Sequence, residues 1–140
     1  MELKKWNRIS TELKYKNGWW SYKVDKYTLP DGSEGEYHYA FTHGSVFIIP
    51  VTADGKIILV KQYRYLNDRF SIEFPGGGVK SENDHDKQAE KELIEETGFT
   101  GELTYAGMFN PYNGVTNEIC KVYIARNLKP SSVYKKDDSE

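Results

Sequence analysis

Glu92, Glu95 and Glu96 are the residues of this chain whose types and spacing could do chemistry. In the run Lys91-Glu92-Leu93-Ile94-Glu95-Glu96-Thr97-Gly98-Phe99 the three carboxylates stand at i, i+3 and i+4. On a helix those positions share one face, so their charges crowd together. They also lie just before Gly98, which the pattern predicts as a helix C-cap, where the helix dipole disfavours negative charge. A sequence selected only for stability avoids both penalties. A bound divalent cation removes them, because carboxylate oxygens hold hard cations. A merely solvated acidic face is the alternative, and at this level both readings stand.

Upstream lies Pro75-Gly76-Gly77-Gly78. Glycines let backbone amides or carbonyls approach a ligand or metal without obstruction by a side chain. Alone, the run also reads as an ordinary tight turn. His38, His43 and His85 are scattered, lack metal-ligand spacing, and read as structural or surface residues.

The elements that must position these groups follow from patterning. Residues 19–29 and 36–41 carry the aromatic and β-branched residues of two strands around the turn Asp31-Gly32-Ser33-Glu34-Gly35. Val46–Val51 is a continuous apolar strand, and Asp54-Gly55 turns into a strand over Lys56–Tyr65. Phe70–Phe74 is another strand, and the glycine run after it is expected to be a loop. One helix follows, capped by Ser81 or Asn83, with Asp84 and Asp86 in its first turn. It runs to about Thr97, with Ala89 and Leu93 packing inward. Leu103–Phe109 and Glu118–Ala125 complete the strands. The fold class is therefore mixed α/β or α+β, with more strand than helix.

At 140 residues, 38% hydrophobic and 14% aromatic, the chain suits one compact domain. A net charge of −2 argues against nucleic-acid binding by counterion release, but not against a small phosphorylated ligand accompanied by metal. The single cysteine, Cys120, fits a reducing cytoplasm and reads as a buried strand residue rather than a reactive thiol. Met1–Asn17 is polar and Lys-rich without the apolar core of a signal peptide. The apolar runs fall far below the ~18 residues needed to span a bilayer. A soluble protein with no membrane partner is expected.

Taken together, the glycine run, the helix and the acid cluster resemble the Nudix box, the signature of hydrolases acting on nucleoside diphosphates linked to another group. The box ends in R-E-U-x-E-E-x-G-U, with U bulky and apolar. Here Gly77, Glu92, Leu93, Glu95, Glu96, Gly98 and Phe99 match, while the first box glutamate falls on Asn83 and the box arginine on Lys91. Lysine keeps the charge but loses the planar two-pronged donor. Outside the box, Val60-Lys61-Gln62-Tyr63-Arg64-Tyr65, Ile72-Glu73-Phe74-Pro75-Gly76-Gly77 and Asn110–Glu118 look like the branch that cleaves ADP-ribose and related nucleoside diphosphate sugars.

That resemblance implies a Nudix-type mixed β-sheet sandwich with an N-terminal antiparallel hairpin extension over residues 1–44. A hydrolase core over 45–130 and an acidic polar tail over 131–140 would follow. It implies Mg²⁺ or Mn²⁺ held by Glu92, Glu95, Glu96 and the carbonyl of Gly76, supported by Gly77, Asn83, Lys91 and Gly98. The three glutamates would be the catalytic residues. Arg64, Glu73, Glu118 and Trp20 would contact a nucleoside diphosphate substrate in a homodimer, whose aromatic N-terminal edge needs covering. Each has a plainer alternative. Arg64 and Glu73 could simply pair with each other, Glu118 could start a strand, and Trp20 could pack on its own sheet. The branch also continues from an acidic stretch like Asp137-Asp138-Ser139-Glu140 into a flanking helix, which this sequence does not contain; that acidic stretch often carries a proposed general base. An inactive, ligand-binding relative is the other functional reading.

Overall fold

The computed structural model describes residues 3–81 and 84–134 and divides into two compact units, one of residues 1–42 with 110–118 and one of residues 43–109 with 119–140. The first is a three-stranded antiparallel sheet in the order β1 (Asn7–Lys16), β2 (Ser21–Thr28), β3 (Glu34–Phe41). The expected antiparallel hairpin is present as β2 and β3, and β1 adds a third strand to it. β1 alternates Ile9, Thr11, Leu13 and Tyr15 with charged or polar residues, the period of a sheet with two unlike faces. Asn17 turns β1 into β2, its Oδ1 accepting from the amides of Trp19 and Trp20 at 2.7 and 2.9 Å. Asp31 does the same between β2 and β3, accepting from the Ser33 amide at 2.9 Å and from its hydroxyl at 2.6 Å. Those donors hold the Asp31 carboxyl below its usual range. The segment 110–118 lies beside β3, with Asn117 bonded both ways to the Thr42 backbone at 2.9 and 3.0 Å.

In the second unit a mixed four-stranded sheet runs in the order β7 (Gly76–Gly78), β4 (Ser45–Pro50), β9 (Cys120–Pro130), β8 (Phe99–Phe109). The β4–β9 pair is parallel and its neighbours antiparallel. β5 (Val60–Arg64) and β6 (Arg69–Glu73) form a separate antiparallel ribbon. The single α-helix among the described residues, α1 (His85–Thr97), packs on β4, β7 and β8. Its inward residues His85, Ala89 and Leu93 recur at the helical interval, and the latter two join Val46, Ile48, Val79 and Tyr123 in the core.

Several boundaries differ from the sequence reading. The glycine run is a strand rather than a loop, because its main chain pairs with β4 and needs no side chains to do so. The strand expected from Lys56 begins at Val60, preceded by an isolated bridge between Val51 and Ile57. β8 starts earlier, at Phe99, and β9 is displaced to 120–130. Asp84 takes the N-cap position, leaving Asp86 alone in the first turn; Asn83 lies outside the described residues, as does the tail 135–140. Cys120 is buried in β9. No helix among the described residues is long and apolar enough to cross a membrane.

Candidate functional site

Burial of Ala89 and Leu93 fixes how α1 is rotated, and that rotation decides where the acids go. Glu92 and Glu96, one turn apart, flank the buried stripe on the side facing β7, whereas Glu95 is exposed. Glu92 approaches so closely that a Cβ at Gly77 would collide with its carboxylate. Glu96 reaches the same strand, its Oε2 accepting from the Gly76 amide at 2.8 Å. A side chain at Gly76 would itself strike the Val46 carbonyl, so the close β4–β7 pairing needs glycine there. Gly98 ends the helix in the left-handed conformation, φ 75°, with its amide on the Ile94 carbonyl at 2.9 Å.

Two glutamines that the sequence reading assigned no role complete the surroundings. Gln62, buried on β5, donates from Nε2 to Glu96 Oε1 at 3.0 Å. Gln88 donates to Glu92 Oε1 at 2.6 Å from one turn earlier on α1. Glu95 instead meets Lys91 Nζ at 3.3 Å, an exposed pair of the kind that contributes little to stability. Glu95 and Glu96 line a cavity of about 180 Å³ with Leu59, Val60, Lys61, Gln62 and Tyr134.

Among the described residues no three of the His, Cys, Asp and Glu type stand close enough to hold one metal ion. The donor chemistry nevertheless suits a hard divalent cation, with Glu92 and Glu96 oxygens brought to the same stretch of glycine backbone. Arg64 and Glu73, on the ribbon, form a two-pronged pair: Arg64 Nε donates to Glu73 Oε1 at 2.8 Å and Nη2 to Oε2. The guanidinium holds the Glu73 carboxyl below the usual carboxylate range, against a smaller opposing effect of burial.

The remaining two candidates belong to the first unit. Trp20 follows the β1–β2 turn, half-exposed, with its ring edge-on to Tyr15 at 6.2 Å. Glu118 precedes β9, its carbonyl accepting from Asn110 Nδ2 at 2.8 Å. His38, also here, meets the Tyr22 hydroxyl at 2.6 Å, and His85 is buried at the start of α1 in the other unit.

The NUDIX domain family matches residues 41–139. The chain is 35% identical over 106 residues to an ADP-ribose pyrophosphatase of Bacillus subtilis, covering 75% of this chain and 57% of that protein. It is 32% identical over 107 residues to a methanol dehydrogenase activator of Bacillus methanolicus, covering 76% and 58%. The chain thus spans somewhat over half the length of these relatives. Its fold is shared with a crystal structure of an ADP compounds hydrolase at a TM-score of 0.80 and 19% identity, covering 99% of this chain and 76% of that one. Together with the box residues on α1 and β7, the family match over residues 41–139 establishes that this chain belongs to the Nudix family.

Proposed function

We propose that the chain hydrolyses the pyrophosphate bond of ADP-ribose or a related nucleoside diphosphate sugar, releasing a nucleoside monophosphate and a sugar phosphate. The observation that carries this reading is the approach of Glu92 and Glu96 to the Gly76–Gly77 backbone. The 35% identity to an ADP-ribose pyrophosphatase of Bacillus subtilis supports the substrate class. Glu92 and Glu96, with the Gly76 carbonyl, would hold Mg²⁺ or Mn²⁺, and Glu95 would join them on leaving its exposed pair with Lys91. Such ions, when bound, neutralise phosphate charge and activate water for attack on phosphorus.

Arg64 supplies a planar donor suited to phosphate or ribose, and Glu73 fixes its orientation. Trp20 and Glu118 are assigned to substrate contacts within a homodimer. β1 gives the physical motive for that dimer, since all ten of its residues are exposed, among them Ile9, Leu13 and Tyr15. A cytoplasmic location belongs to the same proposal and rests on the single free cysteine.

Phosphorus NMR of ADP-ribose with Mg²⁺ or Mn²⁺ tests the reading. The wild type should convert the pyrophosphate signals to monoester signals. Glu96→Gln should slow this about 100-fold or more, as removal of a group worth several kcal/mol requires. Undiminished turnover by that variant would remove the proposed role of the cluster. The second reading, binding without cleavage, is favoured by Lys91, which stands at the box arginine and is engaged at the surface with Glu95. Tight ADP-ribose binding with unchanged phosphorus signals across several metals would establish it instead.

A further inference from the structure

Gln62 holds a side-chain amide in a place where packing alone would favour a hydrocarbon. It is 8% exposed, and a buried amide is costly unless bonded. Its Nε2 donates to Glu96 Oε1 at 3.0 Å, while the Gly76 amide donates to Oε2 at 2.8 Å. The two donors come from different segments, β5 and β7, and together they engage both oxygens of one carboxylate. A glutamate side chain free in solvent samples many rotamers, and ordering it costs conformational entropy. Glu96 meets that cost in the folded chain, before any ligand arrives.

We infer that Gln62 is a positioning residue for Glu96, fixing the plane of its carboxylate toward the glycine strand; this rests on the function proposed above. Gln62 shares its face of the ribbon with Arg64, because alternate strand residues point the same way. One strand therefore carries the group that orients the acid and the group assigned to the phosphate. Gln88 differs in kind, lying on the same helix as the glutamate it contacts and constraining it only locally.

The test compares wild type with Gln62→Met, similar in length but without the donor, and with Tyr63→Phe. Tyr63 neighbours Gln62 on the opposite face of β5 and donates to Asp68 at 2.8 Å, so Tyr63→Phe perturbs the ribbon without touching Glu96. Free Mn²⁺ is titrated by electron paramagnetic resonance, kcat and KM are measured with ADP-ribose, and circular dichroism reports folding. Gln62→Met should weaken Mn²⁺ binding about 10-fold and lower kcat by a similar factor, with KM within about 2-fold, the scale usual for residues that orient a metal ligand. Tyr63→Phe should leave Mn²⁺ binding within about 2-fold. A folded Gln62→Met with wild-type Mn²⁺ affinity and kcat overturns the inference while the proposed function stands. Equal losses in both variants overturn it as well, because the role would then be general ribbon stability. A folded wild type that neither takes up Mn²⁺ nor cleaves ADP-ribose removes the function and the inference together. Should Gln62→Met fail to fold, Gln62→Glu decides, since it keeps size and polarity but sets an acceptor against Glu96. Metal affinity and kcat unchanged in that variant would count against positioning, and a drop in both would support it.

Discussion

The four-stranded sheet and its helix close over Val46, Ile48, Ala89, Leu93 and Ala125, each at most 2% exposed, whereas the three-stranded sheet buries Val24 and leaves Trp6, Ile9, Leu13 and Tyr15 more than half exposed. One region is held by packed side chains and the other chiefly by main-chain ladders and ring contacts, such as Trp6 stacked on Tyr27 at 4.6 Å. The contrast separates two tasks. Carboxylates that must be held against a particular backbone need an element that cannot rotate, and a close-packed core provides it. A sheet with long exposed apolar side chains is suited to being covered by something else.

Substitutions can break this contrast. Leu93→Ala removes a fully buried side chain from the helix that carries all three glutamates, and should cost about 2–5 kcal/mol in denaturant unfolding. A loss below about 1 kcal/mol would mean that the core does not fix α1. Leu13→Ser, on an exposed strand, should change the stability of the isolated chain by no more than about 0.5 kcal/mol. The same variant should shift sedimentation velocity toward the monomer if β1 is the covered surface of a homodimer. Equal destabilisation by the two variants would erase the distinction between the regions.

The same contrast governs how much was legible in the sequence. α1 could be read because Ala89 and Leu93 mark an inward face and Gly98 marks its end, and the structure ends it at Thr97. The Arg64–Glu73 pair was readable only as one of two alternatives, since the register sets Arg64 opposite Arg69 and Glu73 opposite Val60, so two long side chains must reach diagonally along the ribbon to meet. β1 was missed although Ile9, Thr11, Leu13 and Tyr15 alternate regularly, because interleaved Arg, Glu and Lys make the whole stretch look polar. β7 has no side chains to make a pattern, and its pairing is entirely main chain. Gln62 and Glu96 are 34 residues apart, so their contact depends on how ribbon and helix pack, which composition and period do not encode. Gln88 and Glu92, at i and i+4 on one helix, could have been found from spacing alone.

The smallest expected effect concerns the Arg64–Glu73 pair, which lies at a surface of the well-packed unit and so marks the limit of its advantage. The folded carboxyl of Glu73 sits below its ordinary value of 4.5, chiefly because Arg64 donates to it. A depressed carboxylate pKa stabilises the folded chain fully above about pH 4.5, and the contribution fades as pH falls through the lower, folded-state value. With Arg64 49% and Glu73 29% exposed, solvent screens the pair and its worth should stay below about 1 kcal/mol. Arg64→Met should therefore lower Tm by a small constant amount from about pH 5 to 8, and the gap to wild type should close on further acidification. A gap that widens below pH 4 would show that Arg64 stabilises the fold by something other than its charge on Glu73, and the ribbon would then belong with the packed core rather than at its margin.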